Sequence, residues 1–149
     1  MKTKQLLYQH CEAFLNQRLQ NIQQKIKAIQ ESLLSETKST AGDKHETGRA
    51  MLQLEREKAG QQLAEIRKEK EILSKINLEQ PSEVVHLGSV VMTTQANYFL
   101  SISSGLHQVN GISFYAISPS TPIGKLLLGK REGDVISFRG QSFTITNLL

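Results

Sequence analysis

Two carboxylates stand three residues apart in Gly42-Asp43-Lys44-His45-Glu46-Thr47. Residues i and i+3 share one face of a helical turn, so Asp43 and Glu46 can share one Mg²⁺ or hold one water. A hard cation takes about six oxygen ligands, so the pair suits a chain that completes a metal site half-built in a partner. Asp-x-x-Glu ahead of a helical run is also a capping box, with Asp43 satisfying orphan amides and Glu46 reaching back, worth about 0.5 to 2 kcal/mol. Spacing leaves both readings open, and a cap on an exposed tip still keeps carboxylate oxygens free. His45 reads as a solvated loop histidine. Lys38, Lys44 and Arg49 read as solvated charges, with contact to RNA phosphate as the competing reading. Elsewhere His10, His86 and His107 are scattered, Cys11 is the single cysteine, and no zinc spacing, phosphate-binding glycine loop or nucleophile elbow is present. A self-contained enzyme is not expected.

The elements that must position the two acids are legible from periodicity. From about Gln5 to Ser35 no proline or glycine intervenes, and Tyr8, Cys11, Leu15, Leu19, Ile22, Ile26, Ile29 and Leu33 alternate spacings of three and four. This is a heptad seam, the pattern of a helix packed along one narrow stripe. Leu52, Ala59, Leu63, Ile66, Leu73 and Ile76 repeat it, with Arg56 and Lys70 at two seam positions where their stems can lie over apolar surface. Gly60 costs about 1 kcal/mol relative to Ala in a helix interior. The polar stretch SETKSTAGDKHETG separates the runs and favours antiparallel return. Arms of about 30 residues extend roughly 45 Å at 1.5 Å per residue, so the hairpin is expected to project.

After Pro81 the heptads vanish, and Gly and β-branched residues become frequent. Strands are expected at Val84 to Leu87, Val90 to Thr94, Tyr98 to Ser103, Ile112 to Ile117, Val135 to Phe138 and Ser142 to Thr146. A short helix is expected over Ile123 to Leu128, and a hairpin turn at Arg139-Gly140-Gln141. The fold class is therefore α+β: an N-terminal antiparallel coiled-coil hairpin over 1–79, its tip near 36–48, then a small β-rich module over 80–149. A module this small is expected to use the helix bases as packing surface.

Composition agrees with a foldable chain lacking Trp. The net charge of +4 permits nucleic-acid binding, but basic residues alternate with acids along the helices, as on solvated faces. A lone cysteine and an opening without a long apolar run point to a reducing cytoplasm and away from a membrane.

The stretch from Ser118 to Asp134, SPSTPIGKLLLGKREGD, resembles the C-terminal motif of the Gre transcript-cleavage factors, with its Ser-Pro opening and its Gly-Lys-x-x-Gly-Asp-like ending. Thr121 replaces the usual Ser, and Leu126 a small residue. The tip Gly42-Asp43-Lys44-His45-Glu46 resembles that family's Gly-Asp-x-x-Glu, placed alike between two helices and ahead of a β module. The resemblance implies an FKBP-like C-terminal domain that docks at the rim of the bacterial RNA-polymerase secondary channel while the hairpin enters it. It implies polymerase contacts at Pro122, Ile123, Lys125, Leu127 and Lys130. It also implies that Asp43 and Glu46 help hold a Mg²⁺ shared with the polymerase, and its attacking water, so that the polymerase's own active site cuts backtracked RNA. No cofactor is implied in isolation, the nascent RNA 3′ end is met only indirectly, and a cytoplasmic monomer is expected.

Thr47 stands where the family usually has Asn and Ala50 where it often has Tyr, and the family's usual N-terminal opening is absent. These departures favour a second reading, a channel binder that modulates transcription without cleavage. A third, from another class, is a coiled-coil interaction module whose β unit binds peptides. Prolyl isomerase activity is not expected, because few aromatics are present to line a pocket. A heptad seam can also close between chains, but the polar loop and the matching second run favour the intramolecular hairpin.

Overall fold

The structure, a computed structural model, describes residues 2–38 and 42–149, with side chains over 3–36 and 47–149. Two long helices, α1 (Lys2–Lys38) and α2 (Gly42–Ser74), precede β1 (Val90–Thr93), β2 (Asn97–Leu100), β3 (Gly105–Val109), β4 (Ile112–Ile117), α3 (Pro122–Leu127), β5 (Val135–Phe138) and β6 (Gln141–Leu148). The layout is α+β, with the two long helices ahead of all the strands and only the short α3 among them. The chain divides into two compact units, one of residues 15–70 and one of residues 1–14 with 71–149.

The first unit is the helical pair. Ile22, Ile26, Ile29, Ala59 and Ile66 form its buried stripe, flanked by half-buried Leu19, Leu33, Leu52 and Leu63. The antiparallel register is fixed by cross-helix contacts whose numbers fall in one helix as they rise in the other. Lys70 Nζ donates to Asn16 Oδ1 at 2.7 Å, Arg18 pairs with Glu69 at 2.8 Å, and Arg49 Nη1 donates to the Leu33 carbonyl at 3.4 Å. Arg56 and Lys70 do occupy the seam half-buried, their polar ends at its margin. Arg56 Nη1 comes within 3.1 Å of where a Cβ at Gly60 would stand, so the glycine leaves room for the guanidinium. The polar connection expected over fourteen residues is shorter: α1 runs through Lys38 and α2 opens at Gly42. Glu, Lys and Thr there carry only small helical penalties, and they extend the helices instead of ending them. Residues 39–41 lie outside the described residues.

The second unit is a six-stranded sheet in the order β3-β4-β2-β1-β6-β5. All pairings are antiparallel except β2 with β4, which the β3 excursion makes parallel. One face presents Val91 and Leu100, which pack with Val85, Leu127, Ile136, Phe143 and Ile145. The register puts Val90 opposite Phe99 and Phe99 opposite Ala116, on the other face. The base of α1 belongs to this unit and covers that second face. Leu7 and Cys11 are fully buried, and Cys11 Sγ lies 3.6 Å from Ser101 Oγ and 3.5 Å from Ser104 Oγ.

Two strand expectations change. Val84 to Leu87 is not a strand. Val85 donates to the Lys130 carbonyl and accepts from the Gly129 amide, both at 2.9 Å, so this β-branched run is pinned to the loop after α3 and to no ladder. β3, which pattern reading passed over, pairs with β4 through Asn110-Gly111, both with positive φ (53° and 79°). Arg139-Gly140 turns β5 into β6 in the same way, at φ 52° and 79°. Two consecutive positive φ values suit the right-handed strand twist, and Gly supplies the second at no steric cost.

Candidate functional site

The backbone of Asp43 and Glu46 lies in the opening turns of α2. Their side chains, with those of Lys38, Lys44 and His45, lie outside the described residues, so the capping and metal-holding geometries are not placed. Thr47 and Ala50, one turn on, are exposed. Among the described residues no group of three or more His, Cys, Asp and Glu is arranged to hold a metal ion.

The Ser118–Asp134 stretch is placed in full. Thr121 caps α3: its Oγ1 accepts from the Gly124 amide at 3.1 Å and donates to the Ser118 carbonyl at 2.7 Å. Pro122 fills the first helical turn, where its missing N–H costs nothing. A Cβ at Gly124 would run into the Ser118 carbonyl oxygen, so the turn closes only on glycine. Beyond α3, Gly129 and Gly133 hold positive φ (79° and 92°), and Asp134 Oδ2 accepts from the Arg131 amide at 2.7 Å. Thr121, Gly124, Gly129, Gly133 and Asp134 thus each have a local structural task. Asp134 and Gly133 also exchange backbone hydrogen bonds with Ile145 of β6, at 2.9 and 2.8 Å, tying the turn to the sheet.

The candidate contact residues divide by burial. Pro122, Lys125 and Lys130 are exposed, and Ile123 is half-buried against the sheet core. Leu127 is fully buried in that core. It therefore supports the surface from beneath, while Leu126 and Leu128, neither of them in the expected set, are the exposed leucines of this segment. What the segment offers is a short rigid knob bearing Lys125, Lys130 and Arg131 around apolar side chains.

Sequence reasoning also passed over a polar cluster beneath α1. Ser104 Oγ and His107 Nε2 are 2.7 Å apart, Ser104 also meets Cys11, and the His10 and His107 rings lie edge to face at 5.5 Å. Burial, and then the nearby His10, push the His107 pKa down; burial pushes the Cys11 thiol up despite its serine partners. A thiol held protonated is a poor nucleophile, and the cluster reads as a satisfied polar joint under the helix. Only the register of β3 could have revealed it, because Cys11 and His107 are far apart in sequence.

No protein-family model matches the sequence, and no curated protein does. Among solved structures the chain is similar to the structure of the transcription factor Gfh1, at 23% identity over 95% of this chain and 92% of that one, with a TM-score of 0.35. No described helix is long and apolar enough to cross a membrane.

Proposed function

We propose that the protein is a bacterial RNA-polymerase accessory factor that inserts its helical hairpin into the secondary channel and stimulates cleavage of backtracked RNA by the polymerase active site. The observation that carries this reading is the place of Gly42-Asp43-x-x-Glu46. It opens the second of two long antiparallel helices, 37 and 33 residues, in a chain that also folds the Ser118–Asp134 motif into a capped, lysine-bearing knob. The protein is not itself an enzyme. Lys125 and Lys130, with Pro122 and Ile123, supply the docking contacts, seated on Leu127.

Asp43 and Glu46 are the residues that would hold a Mg²⁺ shared with the polymerase. Their oxygens suit a hard cation but number too few to hold it alone. Such a metal, when bound, neutralises charge developing on the phosphate and activates a water. The task of this chain is to deliver two carboxylates on a stiff support and to orient that water. The hairpin's buried stripe and its cross-helix hydrogen bonds provide the stiffness.

Purified polymerase stalled in a backtracked complex tests the proposal. Wild-type protein should release short 3′ RNA fragments. Asp43→Ala with Glu46→Ala should abolish that release and leave retention on core polymerase nearly intact; unchanged cleavage by the double variant sinks the catalytic assignment. Exposed Thr47 and Ala50, which depart from the Gre pattern, favour a second reading as a non-cleaving channel regulator. In that case the wild-type chain slows transcription in the same assay and releases no fragments.

A further inference from the structure

The direction of each backbone group along β3 follows from the hydrogen bonds around it. On β4 the Ile117 carbonyl accepts from Ser101 at 2.9 Å, on the β2 side, and the Ala116 carbonyl accepts from Ser104 at 3.2 Å, on the β3 side. Successive β4 residues therefore bond to opposite neighbours. The two-residue turn Asn110-Gly111 closes on Val109 and Ile112 as a hydrogen-bonded pair, and such pairs recur at every second residue of an antiparallel ladder. Gly105, His107 and Val109 thus bond to β4, while the N–H and C=O groups of Leu106 and Gln108 turn away from it. Among the described residues no strand takes them up. The side chains of Leu106 and Gln108 share the exposed face, with Tyr115 opposite Leu106.

We propose that β3 pairs with β3 of a second copy of this chain, antiparallel about a two-fold axis at His107. The outward groups are complementary to themselves in that register: Leu106 of each copy exchanges both its backbone hydrogen bonds with Gln108 of the other, the isologous contact that a two-fold requires. The two Leu106 side chains become diagonal neighbours, which joins the exposed Leu106–Tyr115 pair of one copy to that of the next. Charge also favours a second copy here. His107 meets its own counterpart on the face it shares with His10 of α1, and burial and then His10 push its pKa down, so both rings are uncharged at neutral pH. Ser104 and Asn110 bound the strand, whereas β5, at the opposite side of the sheet, lies between Asp134 and Arg139, and charges beside an outer strand oppose pairing. One five-residue strand from each copy makes an interface smaller than the roughly 1,200 Å² of stable complexes, so a dissociation constant on the order of 10⁻⁴ M is expected.

Sedimentation velocity and amide hydrogen exchange on the ¹⁵N-labelled full chain test this, at neutral pH and from about 20 μM to about 1 mM. The sedimentation coefficient should rise with concentration. Exchange at the Leu106 and Gln108 amides should slow by about fivefold over that range, while His107 and Val109, already bonded within the chain, change little. Leu106→Lys, which sets like charges diagonally across the axis, should abolish both effects and leave Tm nearly unchanged. The proposal is overturned if neither readout depends on concentration, if Leu106→Lys associates like the wild type, or if the new protection falls on Val135 and Ser137 of β5 instead. Should Leu106→Lys fail to fold, the pattern of protected amides in the wild type decides alone. No polymerase enters these measurements, so this inference and the cleavage reading can each fail without the other.

Discussion

Gly124 shows how much one missing methyl group can decide. Its Cα sits where any Cβ would strike the Ser118 carbonyl, which itself accepts from Thr121 Oγ1. Gly124→Ala should therefore cost about 1 to 3 kcal/mol through displacement of the Ser118–Thr121 turn, read as a lowered Tm by differential scanning calorimetry. His107 makes a second prediction. Its pKa lies below the ordinary value of about 6.5 because it is partly buried and faces His10. The folded state thus binds its proton less readily than the unfolded chain does. The contribution to stability is complete above the unfolded pKa and is lost as pH falls through it toward the folded value. Urea midpoints measured from pH 8 to pH 5 should fall, and His107→Gln should flatten that fall. A slope unaltered by the substitution would place the acid sensitivity elsewhere.

Among the elements, the hairpin was the most legible, because a seam repeated over eight positions constrains a helix far more than propensity does. Cys11, Leu15, Ile22, Ile26 and Ile29 are buried as the spacing requires, although Leu7 takes the fully buried place that the pattern gave to Tyr8. Ile26→Ala should cost about 2 to 4 kcal/mol in this unit. If the rod is there to deliver Asp43 and Glu46, the same substitution should lower RNA cleavage well before it lowers polymerase retention. Equal losses in both would show that the seam merely keeps the chain folded. Strands were less legible. Val84 to Leu87 has strand composition but finds its hydrogen bonds in the loop after α3. β3 hid because Gly105, Leu106 and Gln108 are all exposed and give no alternation, even though Asn110-Gly111 is among the strongest hairpin signals a sequence carries.

For the molecule as a whole, class and element order could be read because the two long helices precede all the strands and the short α3 is bounded by Pro122 and Gly129. The site was legible as motifs but not as geometry. Thr121 and Gly124 have roles that only coordinates disclose, and Leu127, a contact residue by the family resemblance, lies within the core. The sheet has one further consequence. It ends on β3 and on β5; among the described residues no strand lies beyond β3, and Gly105–Val109 contains no charged residue and no proline to deter a stranger. Leu106, 53% exposed beside Tyr115, adds an adhesive surface to that open rim. In a concentrated or warmed solution this rim is one place where a second copy can add a strand, which bears on how the protein is stored.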